Sequence, residues 1–343
     1  MNSRILIIGN TSEVFHIGSM FTRAAKEINL TLAVSDTNIN SYAPSLKHLW
    51  GKAFFKISGK RPIEWWSFNH KIIALIEEFY PKIVLITGII PLQDDVFNMC
   101  DKIGAKVVNY LTDSPWSRQN SHPKFMANLP KYDFIFSTKK ALIPDLINFG
   151  VKQVKFLPFA FDPFVHRYLP PENILICESQ MPDVCLVGGA DKDRINFIRD
   201  FLIDFDGKLG LYGTYWDKDQ KLKQYYRGVV LGDDFCKVLQ KCKINIGVVR
   251  RANRDEHSMR SYEIPACGGV GIYEDTCEHR DLFLGYPQYG FFTSPKDLAD
   301  KSNWLLEHPL ELEQMRQLGI QMVVKESNTY TARLRTILDV CSN

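Results

Sequence analysis

Short unbroken apolar runs alternate with stretches of helical spacing along most of the chain. Ile5-Leu6-Ile7-Ile8, ending at Gly9-Asn10, reads as a strand buried on both faces of a parallel sheet. Residues 18–28 follow with Met20, Phe21, Ala24, Ala25 and Ile28 on one helical face, and Leu30–Val34 then predicts a second strand. The pattern continues as helix Ile72–Phe79, strand Ile83–Thr87, helix Val96–Ile103, strand Lys106–Leu111, strand Phe134–Ser137, helix Ala141–Phe149 and strand Val154–Leu157. Repeated βα units of this length predict a doubly wound parallel sheet.

Arg167-Tyr168-Leu169-Pro170-Pro171-Glu172-Asn173 interrupts the series, and its two prolines and lack of pattern suit a linker. A second series opens at Val184-Cys185-Leu186-Val187-Gly188-Gly189. It runs through helix Asn196–Leu202, strand Leu209–Tyr212, helix Asp234–Lys241, strand Ile244–Val249, a helical segment near Arg260–Cys267 and strand Gly269–Tyr273. Helices Pro295–Leu306 and Leu310–Val324 close it, and a last helix, Thr331–Val340, is expected to return to the first half. The expected organisation is therefore α/β: a Rossmann-like domain over 1–166, a linker over 167–177, a second Rossmann-like domain over 178–326 and a returning helix over 327–343. Two such halves predict a cleft, with ligands at the carboxyl ends of the strands.

The 343 residues, 45% hydrophobic and 24% charged, suit two globular domains and exclude wholesale disorder. No run approaches the roughly 18 apolar residues of a membrane span. Ile83–Leu92 is interrupted by Thr87, Gly88 and Pro91, and the opening apolar stretch is too short for a secretory signal, so a cytoplasmic protein is expected. Eight cysteines occur without a C-x-x-C pair, which fits small buried hydrophobes rather than a disulfide or zinc framework. The net charge of +3 excludes a generally basic nucleic-acid coat. Six Lys/Arg against one acid nevertheless fall between Lys47 and Lys71, among Trp50, Phe54, Phe55, Trp65, Trp66 and Phe68. That window suits a peripheral contact with an anionic membrane or a lipid-linked acceptor. It equally suits nucleic acid bound through charge and stacking, or a helical excursion whose aromatics pack on the sheet.

The densest chemistry lies in Arg254-Asp255-Glu256-His257-Ser258-Met259-Arg260-Ser261-Tyr262-Glu263-Ile264-Pro265-Ala266-Cys267-Gly268-Gly269. It follows a predicted strand and enters another through a short helix. A helix start with free N–H groups and Arg260's planar fork would receive a diphosphate, and Glu263, one turn on, would accept ribose hydroxyls. A surface Arg–Glu pair capping the helix is the plainer alternative. Pro265 argues for a helix starting no earlier than about Ser261. No D-x-D metal motif is recognised: Asp233-Asp234 reads as a helix start and Asp191-Lys192-Asp193 as a loop.

From His257 to Gly269 this segment resembles the signature of the CgeB-like, spore-maturation-type glycosyltransferases of the group-1 GT-B superfamily. The resemblance extends to Glu274–Phe283, Phe291-Phe292 with Ser294–Leu298, Asn328-Thr329-Tyr330 with Arg333, and, upstream, Asn109-Tyr110 with Asp113, Asn120-Ser121, Tyr132-Asp133 and Leu157–Pro163 with His166. It implies a GT-B fold, a nucleotide-sugar co-substrate in the second half and an acceptor in the first, with no metal or other cofactor. Carried onto this chain, Arg260 would contact the donor phosphates and Glu263 the ribose. Gly188 and Gly189 would let the backbone approach the donor, while Arg194 and Arg250 would assist at the phosphates. Tyr212-Gly213 and Trp216 would flank the base, with core packing the alternative for Trp216. Asp113 is the candidate base or acceptor ligand, with an Asx-turn before Ser114-Pro115 the alternative, and His257 would either bond the donor sugar or order the loop.

The larger family sets two glutamates eight positions apart; here Asp255 stands eight before Glu263, with Glu256 beside it. The expected activity is metal-independent transfer of a hexose or similar sugar to a glycan or lipid-linked acceptor. Its rivals are transfer to protein or a modified DNA base, and a two-domain ligand-binding protein without turnover.

Overall fold

The computed structural model describes residues 4–38, 53, 66–170 and 181–342. The expected linker beyond Pro170, Cys177 and most of the basic-aromatic window fall outside the described residues. By its packing the chain forms two compact units. One comprises Met1–Phe159, Arg251–Asp255 and Tyr330–Asn343, the other Ala160–Arg250 and Glu256–Thr329.

The first unit contains β1 (Arg4–Gly9), α1 (Ile17–Glu27), β2 (Thr31–Asp36), α2 (Trp66–Phe79), β3 (Ile83–Thr87), α3 (Asp94–Ile103), β4 (Lys106–Leu111), α4 (Pro123–Asn128), β5 (Phe134–Ser137), α5 (Ile143–Asn148) and β6 (Val154–Phe156). The strands pair in parallel in the order β2-β1-β3-β4-β5-β6. β1 and β3 are buried on both faces, as their unbroken apolar sequences require. One face carries a core of Leu6, Ile8, Val84, Ile86, Ile72, Ile76, Val96 and Leu129. In the described end of the basic-aromatic window Phe68 joins this core while Lys71 is exposed, so those two residues follow the packing alternative.

The final helix, Tyr330–Ser342, belongs to this unit. Tyr330 meets Phe21 of α1 edge-on at 5.3 Å, and Thr331 Oγ1 donates to Glu27. Arg333 donates to the carbonyls of Pro158 and Phe159, satisfying chain that leaves β6.

The second unit comprises β7 (Val184–Val187), α6 (Lys192–Asp204), β8 (Leu209–Tyr212), α7 (Asp233–Lys241), β9 (Ile244–Gly247), α8 (Arg260–Ala266), β10 (Gly271–Glu274), α9 (Cys277–Leu282), β11 (Phe291–Phe292), α10 (Pro295–Leu306) and α11 (Pro309–Val323). Its parallel sheet has the order β11-β10-β9-β7-β8. Strand order therefore reverses between β7 and β9, the point at which open α/β sheets bind ligands beyond their strand ends.

Two local expectations change. Asp191 is not loop but the N-cap of α6, its carboxylate accepting the amide of Arg194. α8 begins at Arg260 with Pro265 inside it. The proline is tolerated because it removes the donor of a single bond in the helix's last turn.

The seven described cysteines are free thiols, five of them buried. Among the described residues no helix is long and apolar enough to cross a membrane, and no three His, Cys, Asp or Glu side chains gather as a metal-ligand set.

Candidate functional site

In the second unit, β7 ends at Val187 and the chain turns through Gly188-Gly189-Ala190 into α6. Gly188 donates to Tyr212 O, and its carbonyl accepts the indole N–H of Trp216. Gly213 lies against this turn with φ +128°, and a Cβ there would meet Gly188 O at 2.5 Å. Only glycine lets these two strand ends approach so closely. Gly188 and Gly189 are half-buried, placing bare backbone at the sheet edge.

Three arginines converge here. Arg260 donates from Nε to Val187 O at 2.7 Å, and Arg194 from Nη1 to Gly189 O at 3.0 Å. Asp191 Oδ2 lies 3.9 Å from Arg194 Nε and 3.8 Å from Arg250 Nε, linking the other two guanidinium groups. Burial, with the positive charges of Arg194 and Arg250, pushes the Arg260 guanidinium down to about 10. Its side chain is 30% exposed, so water screens part of that repulsion and the group stays charged at neutral pH. Asp191 lies beside Arg194 and Arg250, and Glu263 pairs with Arg260.

Glu263 departs from expectation. It is 2% exposed, with Oε2 bonded to Arg260 and Oε1 3.3 Å from His166 Nε2. Oε2 is thus bonded within the unit, while Oε1 lies beside the His166 ring. The start of α8 departs as well, since the amides of Ser261, Tyr262 and Glu263 donate to the carbonyls of Ser258 and Met259. The expected row of free N–H groups is thus already occupied.

His257 fits the loop-ordering alternative. It is 3% exposed, and its Nδ1 pairs with Glu278 of α9, itself buried. A carboxylate in the interior needs such a partner, so His257 ties the loop before α8 to α9. Tyr212 also turns inward: its ring is buried, which pushes its hydroxyl up to about 12, and only its backbone reaches the strand edge. Trp216, fully buried, takes the packing role.

In the first unit Asp113 lies half-buried just past β4. Oδ1 accepts from Asn253 Nδ2 at 3.1 Å and Oδ2 from Thr112 Oγ1 at 2.9 Å. Asn253 is buried; its other donor contact is to Asp255 Oδ1, and its carbonyl accepts the amide of Ser114. Lys139, just past β5, is 1% exposed and lies 2.8 Å from Asp255 Oδ1. Asp255, the acid that stands eight before Glu263, is therefore held inside the first unit by Lys139.

Sequence reading missed Lys139 and Asn253, and gave His166 no role. Lys139 carried one usable signal, a lysine immediately past a predicted strand end. Nothing local marked Asn253.

Residues 194–339 match the model of a family described as glycosyl transferase-like. No curated protein matches the chain. Among solved structures, Anabaena HepE in complex with UDP-glucose superposes with a TM-score of 0.69 over 99% of each chain, at 12% identity. T4 phage BGT with its UDP-glucose substrate gives 0.58 over 98% of this chain and 99% of that one, at 11% identity. A putative UDP-N-acetylglucosamine 2-epimerase from Listeria monocytogenes gives 0.55 over 97% and 95%, at 13% identity. The chain has the two-sheet fold of GT-B glycosyltransferases and epimerases, and its second half matches a glycosyl transferase-like family.

Proposed function

We propose that the protein is a glycosyltransferase that moves a hexosyl group from a nucleotide-sugar donor, UDP-glucose or a close relative, to a glycan or lipid-linked acceptor. The observation that carries this reading is the position of Arg260, pinned to Val187 O at the reversal point of the second sheet with Arg194 and Arg250 beside it. HepE and BGT, which share the fold, hold UDP-glucose, and the family match over residues 194–339 points the same way.

In this reading the donor diphosphate lies against Gly188-Gly189 and the three guanidinium groups. Fixed cations there offset the charge that builds on the leaving diphosphate as the glycosidic bond breaks, which makes the transfer independent of a metal. Asp113, oriented by Asn253 and Thr112, takes the proton from the acceptor hydroxyl. No resident cofactor enters the scheme.

A thermal-shift and calorimetric panel of UDP, GDP, ADP and CMP tests it, because a ligand that binds only the folded chain raises its melting temperature. UDP is expected to bind and protect. Silence across the whole panel would remove the donor assignment.

A further inference from the structure

α7 and α8 meet at two neighbouring points. The Phe235 ring lies against the Arg260 guanidinium, its centroid 4.7 Å from the guanidinium carbon. One residue further along α7, Cys236 meets Cys267, the residue that caps α8. The Cys267 thiol donates to Cys236 Sγ at 3.6 Å, and the Cys236 thiol donates to Val165 O at 3.1 Å. Both cysteines are free and fully buried. The pair therefore stands at the far end of the helix whose first residue is Arg260.

The end of α8 is made by backbone, the Cys267 amide donating to Glu263 O at 3.0 Å and the Gly268 amide to Pro265 O at 2.9 Å. A thiol is a weak hydrogen-bond donor, so the sulfur contact adds little to this. What cysteine supplies beyond a small apolar side chain is its reactivity. The pair also lies one side chain below the surface. Gly268, next to Cys267, is covered by the Tyr168 ring, which a Cβ on that glycine would meet at 2.5 Å, and Tyr168 is 56% exposed. Exposed side chains change rotamer within nanoseconds, which gives a small oxidant a way in.

Disulfide sulfurs are about 2.0 Å apart, so closing this pair would draw them together by about 1.5 Å. Phe235 is the chain neighbour of Cys236 and moves with it, which shifts the ring against the Arg260 guanidinium. We propose that Cys236 and Cys267 form a thiol switch: a hydroperoxide joins them as a disulfide, which displaces α7 against α8 and weakens the hold of Arg260 on the donor diphosphate. In the first step the O–O bond of the hydroperoxide breaks, one thiol becomes a sulfenic acid, and water or an alcohol leaves. The second thiol then attacks that sulfur, forming the S–S bond and releasing water. The two sulfurs together give two electrons to the peroxide, and a dithiol reductant returns them. The link stands on the sulfur geometry alone, while its effect on the ligand rests on the donor reading above.

Treatment of the full chain with excess hydrogen peroxide, followed by alkylation and non-reducing peptide mapping, tests the link. Wild type is expected to lose two hydrogen atoms in mass, to yield a crosslinked peptide pair carrying Cys236 and Cys267, and to recover both thiols with dithiothreitol. Calorimetric titration with UDP is expected to show affinity lowered by about fivefold or more in the oxidised protein, the lower end of coupling between sites, and restored on reduction. Cys236→Ala and Cys267→Ala, each first shown to melt cooperatively, are expected to bind UDP like wild type and to lose the response to peroxide.

Wild type in which Cys236 and Cys267 stay open to alkylation, or gain oxygen without linking, would overturn the proposal. So would a link formed instead by Cys185 and Cys242, the other buried thiols described in the second unit. A Cys236–Cys267 disulfide that leaves UDP affinity unchanged would overturn the switch, as would a folded Cys267→Ala protein that still loses affinity on oxidation. Reduced wild type that binds no nucleoside diphosphate would instead overturn the function on which the switch acts.

Discussion

Lys139 Nζ lies 2.8 Å from Asp255 Oδ1, the two side chains being 2% and 8% exposed. The ammonium also donates to Thr112 O and Thr138 Oγ1, so its proton-donating capacity is used within the first unit. Breaking such a pair leaves a buried charge uncompensated. Lys139→Met is expected to destabilise the protein by about 3–5 kcal/mol, read as a fall in denaturation midpoint. The double variant Lys139→Met/Asp255→Leu is expected to recover much of that loss. A single variant as stable as wild type would show that the pair contributes nothing.

Asp113 is held by donors on both oxygens, and its proposed task is proton removal from the acceptor. Asp113→Asn preserves the size of the group and removes its basicity. UDP affinity is expected to stay within twofold of wild type while sugar transfer falls by about 10²-fold or more. Undiminished transfer would retire Asp113 as the base.

His279 gives the fold a pH dependence. It is fully buried, with Nδ1 donating to Glu274 O at 2.7 Å and Nε2 accepting from Ser261 Oγ at 2.8 Å. Burial pushes its imidazole down to about 4 from 6.5. The unfolded chain therefore binds a proton that the folded chain refuses, and stability rises with pH through that range. The contribution is complete above about pH 6.5 and falls away toward pH 4, by about 3 kcal/mol in all. Denaturant unfolding at stepped pH is expected to show a shallower slope over this window for His279→Asn than for wild type. Equal slopes would contradict the assignment. Because Ser261 is in the first turn of α8, acidification should also loosen the helix that carries Arg260.

Gly213 is required by the approach of two strand ends. Its φ of +128° and the 2.5 Å separation that a Cβ would have from Gly188 O leave no room for a side chain. Gly213→Ala is expected to cost about 1–3 kcal/mol and to weaken UDP binding by displacing Gly188. A variant with unchanged stability and binding would show that the turn relaxes freely.

The sheets were legible because strands buried on both faces must be apolar throughout: Ile5–Ile8 and Val184–Val187 needed no context to be recognised. Arg250 was legible as a cation at a strand end and Arg194 and Arg260 as cations near helix starts, and the structure gathers all three. Burial of charged groups was not legible. Glu263 is enclosed beside His166, far upstream, with Arg260 bonded to it, and His257 is enclosed against Glu278 of the next helix. The charge of Lys139 is met in the interior by an acid from a segment much later in the chain. Such pairs leave no periodicity in the sequence, since each partner alone reads as a solvated residue. By its packing the first unit runs to Phe159 and includes the short segment Arg251–Asp255.

The central claim is that Arg260 receives the donor diphosphate at the end of β7. The most direct measurement is calorimetric titration of UDP into wild type and Arg260→Ala at matched ionic strength, each protein first shown to melt cooperatively. The account predicts saturable binding by wild type and a loss of about tenfold to a hundredfold on removing the guanidinium, the range for a charge-assisted bond. Equal affinity in the two proteins would contradict it.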